Sequence, residues 1–318
     1  MGRQEMRIAP LDERDLDGAL ELLQRSYAAE REHSPLLPPV LLGDPRLAGP
    51  DLRTCMANGC IGAWLGRRLC GFMGVAAFFP FKGLRAALVG ELVHAAAAGT
   101  EKVAIYEALY TALGERIRSQ GAQLHIVAHF AGDLALQASL YRLGFGAILA
   151  EELRDLSPIG VPAGVHVRQA DDFRSIIDLD IEHRGYYRSP PIFLTKDISR
   201  GAAERDLVEA QAGGCALFVH DEDGRPAAYF MVGHCRGKQE GRLLRDTNTA
   251  QVLSAYAVPG ARGSGVGWAL LDACIAWARA KGHERLMVEH ETANLIGSAF
   301  WSRHFRPYLT IAMRYVER

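Results

Sequence analysis

A run rich in proline and glycine, Ser157-Pro158-Ile159-Gly160-Val161-Pro162-Ala163-Gly164, divides the 318-residue chain nearly in half. Such residues disfavour both helix and strand, so the run reads as a linker. The same order of elements stands on either side of it, which is the sign of an internal duplication. Each half opens with a short strand and an amphipathic helix. These are residues 6–10 with Leu16, Leu20, Leu23 and Tyr27, then residues 165–168 with Phe173, Ile176, Ile177 and Leu179. Proline-rich segments follow at 34–39 and 189–193. Strand pairs come next, turning at Gly66 in one half and at Asp223-Gly224 in the other. A further strand (86–93; 250–258) leads to a long helix (101–120; 268–281) closed by Gly121 or Gly282. Strand, short helix and strand complete the halves, at 123–128, 134–143 and 146–152, and at 285–289, 295–303 and 307–316. The expected fold class is α/β with α+β mixed sheets, in two tandem domains at 1–156 and 165–318 joined by 157–164. Each domain is expected to be a mostly antiparallel sheet with flanking helices. Its fourth and fifth strands are parallel because a helix crosses between them.

The halves differ at the turn between fourth strand and long helix. In the second half it reads Ala257-Val258-Pro259-Gly260-Ala261-Arg262-Gly263-Ser264-Gly265-Val266-Gly267. Glycines let backbone N–H groups approach an anion, and a helix N-terminus adds unpaired donors and a positive dipole end. Arg262 adds a permanent charge, so the loop asks for a pyrophosphate-bearing cofactor. Three alternating glycines and an arginine exceed what a plain turn requires. A dinucleotide fingerprint fails in spacing, since Trp268 stands where its third glycine belongs, although Glu289 follows at a loosely suitable distance. The third reading is a coenzyme A pyrophosphate loop.

That segment resembles motif A of the GCN5-related N-acetyltransferases, roughly V-x-P-x-x-R-G-x-G-x-G/A, with Ala257 in place of the leading valine. The repeated element order is similar to that family's too, so the resemblance covers nearly the whole chain. It implies two tandem domains of that kind, with acetyl-CoA as donor. Ala257 and Val258 would meet the pantetheine amides where the fourth strand splays from the fifth, and Arg262, Gly263, Ser264, Gly265, Val266 and Gly267 would hold the pyrophosphate. Residues 293–305 resemble the family's N-x-x-A-x-x-L/F-Y-x-x-x-G-F segment. Asn294 matches its asparagine, a cofactor contact, and Trp301 falls where a tyrosine often acts as general acid. An indole N–H cannot protonate a thiolate. Expelling a thiol of pKa near 8.5 at pH 7 costs only about 2 kcal/mol, so loss of the acid slows the reaction without abolishing it.

Tyr256 is a weaker substitute acid, and His290 and Glu289, at the end of the fifth strand, are candidate bases for an amine acceptor. Asp246 is another. Strict alternation puts Val252, Ser254, Tyr256 and Val258 on one face of the fourth strand, with Leu253, Ala255 and Ala257 on the other. Arg184, Tyr186, Tyr187 and Arg188 fall in the segment that lines acceptor sites in the family. Gly265→Glu is expected to abolish coenzyme A binding and leave the fold intact. In the first half the turn reads Ala95-Ala96-Ala97-Ala98-Gly99-Thr100-Glu101, with one glycine, no arginine and an acidic residue, so that half is expected to have lost the cofactor. Tyr141 there is expected to pack.

Composition narrows the classes. The net charge of −1 argues against a non-specific nucleic-acid binder or a polybasic membrane protein. The six cysteines show no C-x-x-C pair, and no metal site is expected. Residues 1–10 lack an apolar stretch of signal-peptide type and no run approaches a membrane span, so a cytoplasmic protein is expected. The expected function is transfer of an acetyl group from acetyl-CoA to a primary amine by direct attack, with the active site in the C-terminal domain. The partner is a small-molecule amine or peptide acceptor, with no nucleic acid and no membrane, and the protein a monomer or homodimer. The alternatives are a non-catalytic acyl-CoA-binding or regulatory module and an NAD-type binder.

Overall fold

A computed structural model describes residues 5–237, 241–245 and 247–317. The chain forms two compact units, residues 1–150 with 307–318, and residues 151–306.

In the first unit, β1 (Met6–Pro10) precedes α1 (Leu16–His33), the short α2 (Val40–Gly43) and α3 (Gly49–Ala57). Then come β2 (Ile61–Leu65), β3 (Arg68–Met73), β4 (Ala77–Phe81), β5 (Leu84–Val89) and β6 (His94–Ala96). Helix α4 (Lys102–Ser119), β7 (Leu124–Phe130) and α5 (Leu134–Arg142) follow, and β8 (Gly146–Arg154) carries the chain across the unit boundary. The expected strand at 86–93 stops at Val89; this strand, β5, runs parallel to β7, with Ala86 opposite Leu124. After a turn at 90–93 a separate strand, β6, pairs instead with β3, with Gly71 opposite Ala96. Tyr141 does not pack; it is 80% exposed.

In the second unit, β9 (Arg168–Ala170), α6 (Ile177–Tyr186) and α7 (Arg200–Ala212) lead to β10 (Ala216–Glu222), β11 (Arg225–His234) and β12 (Thr249–Ala257). Helix α8 (Val266–Ala280), β13 (Arg285–Glu291) and α9 (Leu295–His304) complete it. The last strand, β14 (Arg306–Tyr315), was expected to close the second domain, yet it pairs antiparallel with β7 of the first unit, Leu309 opposite Phe130 through Tyr315 opposite Leu124. The reason lies in its alternate apolar side chains. Ile311 and Met313 pack against the buried cluster of Ala86, Leu124 and Ile126.

Within the second unit the strands run in the order β13-β12-β11-β10-β9, antiparallel except for β12 with β13. Successive side chains of a strand face opposite sides, and β11 uses both. Phe230 and Val232 join one core with Leu270, Leu271 and Ile275 of α8 and Trp301 of α9. Tyr229 and Met231 join a second core with Ile177 and Leu179 of α6 and Leu207 of α7. Helix α8 is sided for this, with Val266, Leu270, Leu271, Cys274, Ile275 and Ala278 buried at steps of three and four.

Two irregularities in β12 make the site. Its parallel pairing with β13 runs only from Thr249–Arg285 to Val252–Val288, so the strands part beyond that point. The ladder with β11 shifts register between Met231 and Val232, which leaves Leu253 as an extra residue, a β-bulge. The bulge reverses the alternation. Val252 therefore shares its core with Ala255 and Ala257, while Tyr256 and Val258 lie on the other side. Uninterrupted alternation had grouped Val252 with Tyr256 and Val258.

Candidate active site

Past the bulge, residues of β12 alternate between two bonding partners. Met231, Tyr229 and Ala227 stand opposite Ser254, Tyr256 and Val258, and the Val258 N–H donates to the Ala227 carbonyl at 2.9 Å. Ala255 and Ala257 therefore turn their backbone groups away from β11, into the space that β13 has left. Val258 was expected to offer backbone contacts here. Its N–H is held by Ala227, its carbonyl accepts from the Ala261 N–H at 3.0 Å, and Ala255 takes its place on the gap.

The gap opens into a cleft of about 1050 Å³. Among the expected cofactor residues, Ala257, Arg262, Gly263, Ser264, Gly265, Gly267, Asn294 and Trp301 line it, whereas the Val266 side chain is buried in the core beneath. Gly263 and Gly265 hold φ of +80° and +91°, a region that admits glycine at little cost. Gly265 caps α8, and the backbone N–H groups from Gly263 to Gly267 meet no backbone acceptor among the described residues. That makes a row of donors at the positive end of a helix. A side chain at Gly265 would also collide with the linker. Its Cβ would stand 2.5 Å from Pro162 Cγ, so Gly265→Glu strains the fold as well as the cradle, contrary to expectation.

Arg262 bends back over β12. Its Nε donates to the Ala257 carbonyl at 2.9 Å, and its guanidinium carbon lies 5.0 Å from the Tyr186 ring centre and 5.6 Å from that of Tyr256. Asn294 caps α9 by accepting from the Gly297 N–H at 3.1 Å, and it accepts from the Tyr186 hydroxyl at 3.3 Å. Trp301 is a core residue first. It is buried among Phe230, Phe300 and Phe305, with ring centres 4.8 to 5.6 Å away.

Tyr256, Glu289 and His290 all line the cleft, in different circumstances. The Tyr256 hydroxyl donates to Glu182 Oε1 at 2.9 Å, and burial with that carboxylate pushes its pKa up to about 12. Its proton is committed. The two ring nitrogens of His290 face protein. Nδ1 lies 3.2 Å from Ser298 Oγ, and Nε2 lies 3.3 Å from Glu152 Oε1, an ion-pair separation whose angle falls short of a hydrogen bond. Glu289 and Glu291 act on the other side, where together with burial they push the Tyr187 phenol up to about 12. Tyr186 and Tyr187 line the cleft; Arg184 instead pairs with Asp180 and Asp206, and Arg188 donates to the Lys196 carbonyl. Asp246 lies outside the described residues.

One network escaped sequence reasoning because it joins three elements. Tyr229 of β11 donates to Asp180 Oδ1 of α6 at 2.9 Å, and Asp180 Oδ2 holds Arg184 Nε at 2.6 Å. The single hydroxyl proton being used, the Tyr229 oxygen accepts from His183 Nδ1 at 3.0 Å and from Ser254 at 2.9 Å. His183 stacks on Tyr256 with ring centres 5.0 Å apart. Burial first, with nearby Lys196, Arg184 and Arg262, depresses its pKa to about 3, so it is neutral at physiological pH.

A model of the acetyltransferase (GNAT) family matches residues 181–305, which contain the parted strands, the glycine loop and α9. Residues 181–305 are a GNAT domain. In fold, the chain is similar to a GCN5-related N-acetyltransferase from Sphaerobacter thermophilus, at 11% identity and a TM-score of 0.59, over 98% of this chain and 96% of that one. It is also similar to the glucosamine N-acetyltransferase region of a fungal multi-domain GH3 β-N-acetylglucosaminidase, at 13% identity and a TM-score of 0.53, over 99% of this chain and 38% of that one. No curated protein matches in sequence. Among the described residues, no helix is long and apolar enough to cross a membrane.

The first unit has the corresponding turn without the GNAT domain's cradle. His94 of β6 reaches across to β7, where Nε2 donates to the Ala128 carbonyl at 2.8 Å and Nδ1 accepts from the Tyr106 hydroxyl at 3.2 Å. Burial lowers its pKa to about 4, so the ring is an uncharged bridge. At the start of α4, Lys102 pairs with Asp133 at 2.7 Å, and Glu101 is exposed beside it.

Proposed function

We propose that the protein is an N-acyltransferase that uses acetyl-CoA and acts on a primary amine of a small molecule or peptide, with its active site in the cleft of the GNAT domain. The observation that carries this reading is the parting of β12 from β13 after Val252 and Val288, which leaves Ala255 and Ala257 facing a cleft continuous with the glycine loop. The donors fit the cofactor in kind. Backbone N–H groups of residues 263–267 suit a pyrophosphate, and the edge of β12 turned away from β11, where Arg262 holds the Ala257 carbonyl, suits a chain of amides. Acetyl-CoA would supply the activated acyl group.

The chain's own residues would do the rest. The cleft holds the acceptor between the Tyr186 and Tyr187 rings and the end of β13. An amine attacks only when unprotonated, and Glu289 is the group that takes its proton. His290 has both nitrogens turned to Ser298 and Glu152, and His183 is too weak a base. Tyr256 shapes the site through Glu182 rather than delivering a proton. The first unit is proposed not to hold the cofactor, because His94 bridges β6 and β7 and no arginine or second glycine remains in its turn.

The same commitment of Tyr256, with Trp301 in the core, favours a second reading, a module that binds acyl-CoA without turning it over. Titration calorimetry with acetyl-CoA, followed by thiol release across an amine panel, separates the two. Turnover is expected, and Glu289→Gln should keep acetyl-CoA affinity while losing about 10²- to 10⁴-fold in rate. Binding with no turnover on any amine would leave the binding module. Absence of binding would overturn both.

A further inference from the structure

Lys196 is the only lysine among the described residues that lines the cleft. It lies between α6 and α7, where no helix or strand forms, yet its backbone is tied down. Arg188 Nη2 donates to the Lys196 carbonyl at 3.2 Å, Arg184 Nη1 to the Asp197 carbonyl at 3.3 Å, and the Leu194 N–H to the Tyr187 carbonyl at 2.8 Å. Lys196 Nζ sits 3.6 Å from the centre of the Tyr187 ring, a cation–π contact, with the carboxylates of Glu291, Asp180 and Glu289 attracting it and the Arg184 guanidinium opposing them. An aromatic face beside carboxylates is what a primary ammonium from outside would need. The protein's own amine stands in that place.

We propose that Lys196 is itself an acyl acceptor, so that in the absence of an external amine the protein acetylates its own Lys196 from acetyl-CoA bound in the same cleft. The proposal rests on the acyltransferase reading above. The ammonium loses a proton to Glu289, and the freed nitrogen pair forms the N–C bond to the acyl carbon. The C–S bond breaks with its electron pair going to sulfur. The second proton, shed by the nitrogen as the amide forms, leaves with coenzyme A as its thiol, and Glu289 passes the first to solvent, so one proton is released per acetylation. No oxidant or reductant is involved. The product amide has no charge to place over Tyr187, so acetylation also alters the compartment that receives external amines.

The test incubates the full chain with labelled acetyl-CoA and no amine, then maps the label by peptide mass. Lys82 and Lys281, which do not line the cleft, serve as internal references. Label is expected at Lys196 at a rate independent of protein concentration and at least about a hundredfold above the references, as a positioned intramolecular reaction requires. That preference should vanish when the same protein is labelled in urea. Lys196→Arg should retain acetyl-CoA binding and lose the label. Acetyl-CoA binding with Lys196 labelled no faster than Lys82 and Lys281 overturns the proposal and leaves the acyltransferase reading intact. Absence of acetyl-CoA binding and of amine turnover overturns both.

Discussion

Two glycines of one loop differ in what a methyl group would meet, and the difference is measurable. At Gly263, φ is +80° and an added Cβ has nothing within 4 Å. At Gly265, φ is +91° and the Cβ would stand 2.5, 3.2 and 3.3 Å from Cγ, Cβ and Cδ of Pro162. An L-residue in the left-handed region costs about 1–2 kcal/mol. Overpacking adds about 1–3 kcal/mol. Gly263→Ala should therefore destabilise by about 1–2 kcal/mol and Gly265→Ala by about 2–5 kcal/mol, the sum of both terms. Pro162→Ala removes Cγ and Cδ and leaves its nearest atom 3.2 Å away, a contact that small shifts relieve. In that background the collision is gone, so a double-mutant cycle should return about 1–3 kcal/mol of coupling between positions 162 and 265 and none between 162 and 263. Urea unfolding at constant m-value gives each number. Equal losses for the two alanines, or coupling below about 0.5 kcal/mol, would refute the argument that the linker rests on the cradle.

Tyr229→Phe takes the hydroxyl from Asp180, His183 and Ser254 at once and should cost about 1–3 kcal/mol in urea, since a buried carboxylate loses a donor. The pH dependence has two arms. His183 has a folded pKa near 3 against an ordinary 6.5, so the unfolded chain binds more protons between those values. Stability should fall as pH drops below 6.5, and His183→Asn should lessen that fall. Buried Glu30, which accepts from the Gly132 N–H at 2.8 Å, is raised from 4.5 to about 8, mainly by burial. The folded chain then binds more protons, and stability should fall as pH rises from 4.5 towards 8, a decline that Glu30→Gln should reduce when thermal midpoints are followed across pH. Calorimetry with acetyl-CoA should return one site per chain; two would sink the proposal that the first unit holds none.

What was legible along the chain was what local chemistry dictates. The glycine loop opening α8 and the helical crossover behind the parallel pair each depend on residues close in sequence, and each stands in the structure. The exact repeat of element order does not, since five strands, β2 to β6, precede α4 where three precede α8. Alternation failed at Leu253 because a bulge is an extra residue in a ladder, and only the partner strand reveals the surplus. Val258 was misjudged for the same reason, since its bonding depends on Ala227 and Ala261. Glu289 and His290 are neighbours in sequence, but one turns towards Tyr187 and the other towards Ser298 and Glu152, a separation made by the pleat and by which helix lies on each side.

The amino-acid sequence by itself determined which loop opens a helix with glycines that leave backbone N–H groups uncovered. Backbone freedom at Gly263 and Gly265 and the opening of a helix are properties of a few consecutive residues. Only the tertiary structure decided what faces that loop. The cleft's neutral histidine, its committed tyrosine and the lysine that lines it depend on burial and on partners as much as 74 residues away in the chain. The strand that ends the chain likewise joins the first unit because its apolar face finds its core there. Proton affinity and strand partnership are set by what surrounds a residue in space, which no local pattern records.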